Sequence, residues 1–236
     1  MVDEATPVPD PVQPRPAASV LLVRDVGAGL EVLLVERPAR GYFGGLCVFP
    51  GGAVDPVDHS ELARRVVRGP ALDHEFRAAA LREVAEEVGL ALTTRGVVVA
   101  PDLRGDELFD SLDENGCQLD GDALVLISRW VTPTFAPVRF DTRFYVAAVE
   151  ETPPIRLDPA ELIGHMWALP DSVLAMHERA ELALILPTLT HLRWLTRRAN
   201  VPDALASATG ADERTLIEPS EMVDGSLVPI HLPAER

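Results

Sequence analysis

Apolar residues along the chain fall mostly into strand-length runs, separated by fewer stretches with helical spacing. Ser19 to Arg24 (SVLLVR) and Leu30 to Glu36 (LEVLLVE) read as strands. The DVGAG between them supplies turn glycines, so a hairpin is expected. Residues 37–45 read as a loop, and Leu46 to Phe49 as a short strand entering Pro50-Gly51-Gly52. Residues 59–67 read as a short helix and Phe76 to Val88 as a longer one. Leu90 to Ala100 holds one or two strands, and residues 106–115 a helix stopped by Asn115-Gly116. Ala123 to Thr132 and Arg139 to Glu150 read as strands joined by a proline-rich loop. Ile163 to Leu169 is a further strand, and Pro170-Asp171-Ser172 starts a helix. Residues 187–200 show a stripe of Leu189, Leu192 and Leu195, and residues 201–208 suit one more short helix. Strands and helices mix without strict alternation, so the pattern predicts an α/β or α+β layered domain.

A chain of 236 residues with 47% hydrophobic content has room for one substantial domain and a real core. TPVPDPVQPRP at 6–16 holds five prolines, so residues 1–16 are expected to form an extended, poorly ordered tail. Residues after 210 are polar and then apolar; an edge strand or a surface covering would suit them. No apolar run approaches the ~18 residues of a membrane span, and no signal peptide is visible, so a cytoplasmic protein is expected. The net charge of −16 argues against non-specific binding to nucleic acid or anionic membrane. All 21 basic residues are arginine, which excludes lysine chemistry. Cys47 and Cys117 are too few for a disulfide framework and are expected as free thiols.

REVAEEVGL at 82–90 poses a problem of charge. Leu81, Val84 and Val88 form an apolar stripe. Glu83, Glu86 and Glu87 span an arc of about 100° on the opposite side. Like charges at these spacings cost roughly 0.2–0.5 kcal/mol per pair. The acids lie in the last turn before the αL stop Gly89, where the helix dipole disfavours each by roughly 0.3–1 kcal/mol. A solvated acidic face and a site for a hard divalent cation both account for the pattern.

The flanking residues add to it. Phe49-Pro50-Gly51-Gly52, followed by AALREVAEEVGL, resembles the box of the Nudix hydrolase superfamily, with Arg82, Glu83, Val84, Glu86, Glu87, Gly89 and Leu90 on its fixed positions. The resemblance implies a mixed β-sheet between helices, with further helices after it. It implies a domain over 17–200 and an extension over 201–236 packed on it. It also implies metal-dependent hydrolysis of a nucleoside diphosphate linked to another moiety. Glu83, Glu86 and Glu87 would hold Mg²⁺ or Mn²⁺, Gly51 and Gly52 would let backbone approach metal and phosphate, and Arg82 would orient a carboxylate by a bidentate pair. The first half departs from the pattern. The box glutamate falls on His74, with Glu75 beside it, because residues 53–73 carry an insertion. Glu75 fills that slot or the slot is empty.

The insertion, together with RWVTPTFAPVRFDTRFYVA at 129–147, resembles the acyl-coenzyme A diphosphatase branch. Gly45 fits a second coenzyme A signature, whose arginine position falls on Gly41, one place from Arg40. ADP-ribose, NADH or nucleotide-sugar hydrolysis, and a non-catalytic binding module, are the alternatives. Trp130, Thr132, Pro133, Arg139 and Asp141 would line a groove or build a strand junction in which Arg139 pairs with Asp141. Arg139 and Arg143 are candidates for binding the diphosphate, since no lysine exists to do so. Glu161, before the strand ending in Trp167 and Ala168, is the candidate fourth ligand or general base, against a solvated loop acid. His165 is expected to be structural. Many relatives form homodimers, so a homodimer is a possible assembly.

Overall fold

The run from Ala17 to Val23 is apolar at nearly every position, as expected of a strand covered on both faces rather than one. In the computed structural model, which describes residues 12–27, 29–40, 44–151, 153–209, 216–217, 222–223 and 226–227, that strand is central. β1 (Arg15–Val26) pairs in parallel with β10 (Phe140–Ala148) and antiparallel with β2 (Gly29–Glu36). The main sheet runs β11 (Gly164–Ala168), β2, β1, β10, β9 (Val125–Val131), β12 (Leu216–Ile217). The short strands β3 (Cys47–Val48) and β4 (Gly51–Ala53) pair with β2 and β1. A smaller sheet joins β5 (Val67–Arg68), β8 (Leu119–Asp120), β6 (Leu90–Thr93) and β7 (Gly96–Val99).

Strand alternation sorts the interior into two cores. Ala18, Val20 and Leu22 face a core shared with the helix α2 (His74–Val88), α1 (Glu61–Val66) and α3 (Gly105–Glu114). Leu21 and Val23 face a second core against α5 (Leu186–Leu195) and α6 (Val201–Ala208), with α4 (Pro170–Glu178) at its edge. Each fully buried Leu or Val contributes roughly 1.5–3 kcal/mol. The main sheet thus lies between helices. Among the described residues no helix is long and apolar enough to cross a membrane.

Several expectations shift in detail. Residues 1–11 of the proposed tail lie outside the described residues, while Arg15 and Pro16 already belong to β1, whose ladder reaches Phe140 and Asp141. Within the proposed 201–236 extension, α6 buries Val201, Ala204 and Ala208, and Leu216–Ile217 pairs in parallel with β9. The stripe on α5 is partly as expected: Leu192 and Leu195 are buried, Leu189 is only half-buried, and His191 and Trp194 join the buried face.

The enclosed histidine is satisfied without charge. Burial pushes its pKa down to about 4. A neutral ring gives its Nδ1 proton to the Pro187 carbonyl at 2.7 Å, which can only accept. Its Nε2 then accepts from the Ser128 hydroxyl at 2.8 Å, and Ser128 Oγ accepts from the Trp130 indole at 3.1 Å. Trp130 is therefore a core residue on the sheet face opposite α2.

The two arginines expected at the substrate make contacts within the fold. Arg139 is buried and donates to the carbonyls of Thr132 (2.9 Å) and Val12 (2.7 Å), tying the β9–β10 loop to the chain entering β1. Its expected partner Asp141 instead binds Arg129 at 2.7 Å. Thr132 and Pro133 close the same loop through Phe140 and Ala136. Arg143 lies over the Phe76 ring, 3.4 Å from its centroid, and 2.7 Å from Asp73 at the start of α2. Ten residues separate Asp73 from Glu83, which is roughly 15 Å along a helix.

Removing one partner of a buried ion pair strands the other. Arg143→Met should lower the free energy of urea unfolding by about 3–5 kcal/mol. Adding Asp73→Asn, an αL-tolerant change at a residue with φ 58°, should recover part of that loss.

Candidate functional site

The site is assembled where α2 crosses the FPGG turn. Gly89 ends the helix in the left-handed conformation (φ 70°), which sets the last turn against the sheet. β4 brings Gly51 and Gly52 beside Ser19 and Ala18 of β1. Both glycines are required by close approach. A Cβ on Gly51 would stand 2.3 Å from the Ala18 carbonyl oxygen, and one on Gly52 would stand 2.4 Å from Glu83 Oε1. The glycine pair therefore lies directly against the acids.

Those acids are not a solvated face. Glu83 is 9% exposed and Glu87 2%. Gly51 donates its N–H to Glu87 Oε2 at 2.9 Å, and Arg37 lies 3.7 Å from Oε1. Glu161, on the loop before β11, joins them: Glu83, Glu87 and Glu161 each place a carboxylate oxygen within 4.8 Å of the other two. Burial raises Glu83 from its ordinary 4.5 to about 7, against the pull of Arg82 and with the push of Glu86. Burial, then the charge of Glu83, raises Glu87 to about 8, opposed by the Gly51 N–H and Arg37.

Glu86 departs from the expected ligand trio. Its Oε1 accepts the Gly105 N–H at 2.7 Å, and its Oε2 lies 3.3 Å from Arg82 and 3.9 Å from Arg104. It bridges α2 to the start of α3 and stands outside the group of three. At about 100° per residue Glu86 lies about 60° round the helix from Glu83 and about 100° from Glu87, whereas Glu83 and Glu87 differ by only about 40°.

Arg82 points into the protein and is 2% exposed. Its bidentate partner is Asp58, with Nε to Oδ1 and Nη2 to Oδ2 both 3.0 Å. Nη1 holds Glu83 Oε1 at 2.9 Å. Asp58 belongs to the insertion and had no signal in the sequence. His74 turns its Nε2 to the Val67 carbonyl at 3.0 Å, and neither it nor Glu75 is among the partners of Arg82 given by these contacts.

Cations gather at the rim. Arg104 contacts Glu161 at 2.8 Å and also Asp158, and Arg40 reaches the Ala160 carbonyl at 3.3 Å. With Arg37, these are arginines beside the acid cluster; loop arginines with no periodic pattern gave no way to find them beforehand. A cavity of about 630 Å³ lies among Glu36, Cys47, Met166, Met176, His177 and Leu182, and none of the three clustered acids lines it. Burial raises the Cys47 thiol, and His165 is exposed on β11 away from the cluster.

The donor set fits a hard divalent cation. It is all carboxylate oxygen, two of its members are buried and Glu161 opens to the surface, and the buried two resist ionising side by side without added positive charge.

Comparison with known proteins identifies the family. Residues 13–189 match the model of the NUDIX domain. Nudix hydrolase 7 of Caenorhabditis elegans is 30% identical over 198 residues, covering 80% of this chain and 62% of that protein. Acyl-coenzyme A diphosphatase NUDT19 of Homo sapiens is 28% identical over 238 residues, covering 74% of this chain and 63% of that protein. The chain thus spans a little over three-fifths of the length of these relatives. The crystal structure of a NUDIX hydrolase from Alicyclobacillus acidocaldarius superposes with a TM-score of 0.72 at 32% identity, over 82% of this chain and 96% of that one. With the fold, the box and the clustered acids on one scaffold, the chain belongs to the Nudix hydrolase family.

Proposed function

We propose that the chain is a metal-dependent diphosphatase acting on coenzyme A or acyl-coenzyme A. The observation that carries the reading is the convergence of Glu83, Glu87 and Glu161 on the Gly51-Gly52 turn, with Arg37 and Arg104 at the rim. The likeness to a protein named acyl-coenzyme A diphosphatase supports the substrate class.

The three carboxylates would hold Mg²⁺ or Mn²⁺. When bound, such an ion neutralises phosphate charge and lowers the pKa of a coordinated water. The residues of the chain do the rest. Gly51 fixes Glu87 through its N–H, and Arg82 fixes Glu83. Arg37 and Arg104 supply the positive field that lets a protein of net charge −16 accept a polyanion. A water oxygen attacks phosphorus, its proton passes to a cluster carboxylate, and the bridging P–O bond breaks toward the departing phosphate. From coenzyme A this releases adenosine 3′,5′-bisphosphate and phosphopantetheine.

Purified protein with Mg²⁺ or Mn²⁺ should turn over coenzyme A and its esters in preference to ADP-ribose, NADH, nucleotide sugars and dinucleoside polyphosphates. Mass analysis after reaction in ¹⁸O-water identifies the phosphorus attacked. Preference for ADP-ribose would move the substrate class, and no turnover at all would remove the enzymatic reading.

The carboxylates differ in what they touch, so their variants should differ. Glu87→Gln should lower kcat by about 10²-fold or more. Glu86→Gln, whose partners are the start of α3 and two arginines, should lose closer to tenfold. Steady-state kinetics on both variants, with melting curves as a fold control, measures the contrast.

The raised acids also set a pH dependence. Folded Glu83 and Glu87 hold protons up to about 7 and 8, whereas both release them near 4.5 when unfolded. Between about pH 5 and 8 the folded, metal-free chain binds more protons, so its stability falls as pH rises. Melting temperatures in EDTA should decline across that window, and Mg²⁺ should offset most of the decline near pH 8. Parallel curves with and without the ion would contradict the linkage.

A further inference from the structure

The arginine of the box is held by a residue outside the box. Arg82 donates from Nε and Nη2 to the two oxygens of Asp58, each at 3.0 Å. Nη2 also reaches the Ala53 carbonyl at 3.0 Å, and Nη1 reaches Glu83 at 2.9 Å and Glu86 at 3.3 Å. All five N–H donors of the guanidinium therefore have acceptors, and the group has one orientation open to it. Asp58 is equally constrained: it is 1% exposed, and its Oδ2 also accepts the Asp55 N–H at 2.8 Å. It sits in the one-turn 3-10 helix Pro56–His59, inside the segment 53–73 that interrupts the box.

We propose that Asp58 is a positioning residue of the site. By clamping Nε and Nη2 it aims Nη1 at Glu83 and sets the angle at which that carboxylate faces Glu87 and Glu161. The insertion is then a working part of the site: it supplies the anchoring carboxylate in a chain whose box position holds His74, turned to the Val67 carbonyl. The inference rests on the reading of the three acids as a metal site.

The test is Asp58→Asn in the full chain. The amide keeps the size but presents an N–H₂ to one guanidinium nitrogen. Mn²⁺ binding, followed by the EPR signal of the free ion, should weaken about tenfold, and kcat should fall about 10–100-fold with KM within threefold. A double-mutant cycle with Arg82→Gln separates positioning from general destabilisation. Acting through the arginine, Asp58→Asn should add little to Arg82→Gln, whereas additive losses would overturn the proposal. Wild-type Mn²⁺ affinity and kcat in Asp58→Asn would overturn it as well. If Asp58→Asn does not fold, ¹⁵N NMR of the wild type decides. Separate Nη1 and Nη2 signals for Arg82, assigned by their loss in Arg82→Lys, are expected, and one averaged signal would refute the clamp. A blank substrate panel beside a weakened Mn²⁺ affinity in Asp58→Asn would remove the diphosphatase reading and leave this one standing.

Discussion

Everything at the site depends on two carboxylates buried one helical turn apart. Glu83 and Glu87 lie on the same face of α2, pressed against a turn that has no side chains. Burying an ionised carboxylate without compensation is costly, and burying two together more so. The protein supplies only partial compensation: one backbone N–H, one fully engaged guanidinium and a more distant Arg37. The remaining deficit of positive charge is the property that suits the site to a divalent cation. A better-neutralised pair would be more stable and less able to bind one.

The fold serves this arrangement by making α2 an interior helix. Its N-terminal half is fixed through Arg143 and Phe76, its C-terminal half by Gly89 and the contact with β4. Eleven of its fifteen residues are buried, including Arg82, Glu83 and Glu87. A helix at the surface could let its acids turn to water and relax their repulsion. This one cannot, because β4 lies against Glu83 and Glu87 while β1 packs on the apolar side of the helix.

Much of the architecture was legible in the sequence because it follows local rules. The hairpin of β1 and β2, the stop at Gly89 and the helix at Pro170 each depend on residues close to one another in the chain. The acidic helix and the glycine pair were legible as a motif. What local spacing could not show was direction. Glu86 sits between Glu83 and Glu87 in the sequence, yet it turns to Gly105, nineteen residues on. Trp130 and His191 form one buried network across sixty residues, which a leucine stripe gave no reason to expect. Asp58 was invisible for the same reason: an insertion has no period, and this acid is identified only by the arginine it meets.

The arginines carry the same lesson into substrate recognition. The RFDT segment suggested a groove because an enzyme for diphosphates needs cations and this chain has no lysine. In the structure its arginines serve the scaffold: Arg139 ties a loop to the entering chain, and Arg143 braces α2. Among the described residues, Arg37, Arg40 and Arg104, from two separate loops, touch the acids or the loop that bears Glu161. The pair of Arg104 with Glu161 is exposed and therefore weak, whereas Arg37 faces the buried Glu87 and Arg40 only a backbone carbonyl. A diphosphate, with more charge and better geometry for a guanidinium fork than a single exposed carboxylate, can draw them away. The positive charge beside the acid cluster therefore comes from this rim and not from the β9–β10 segment.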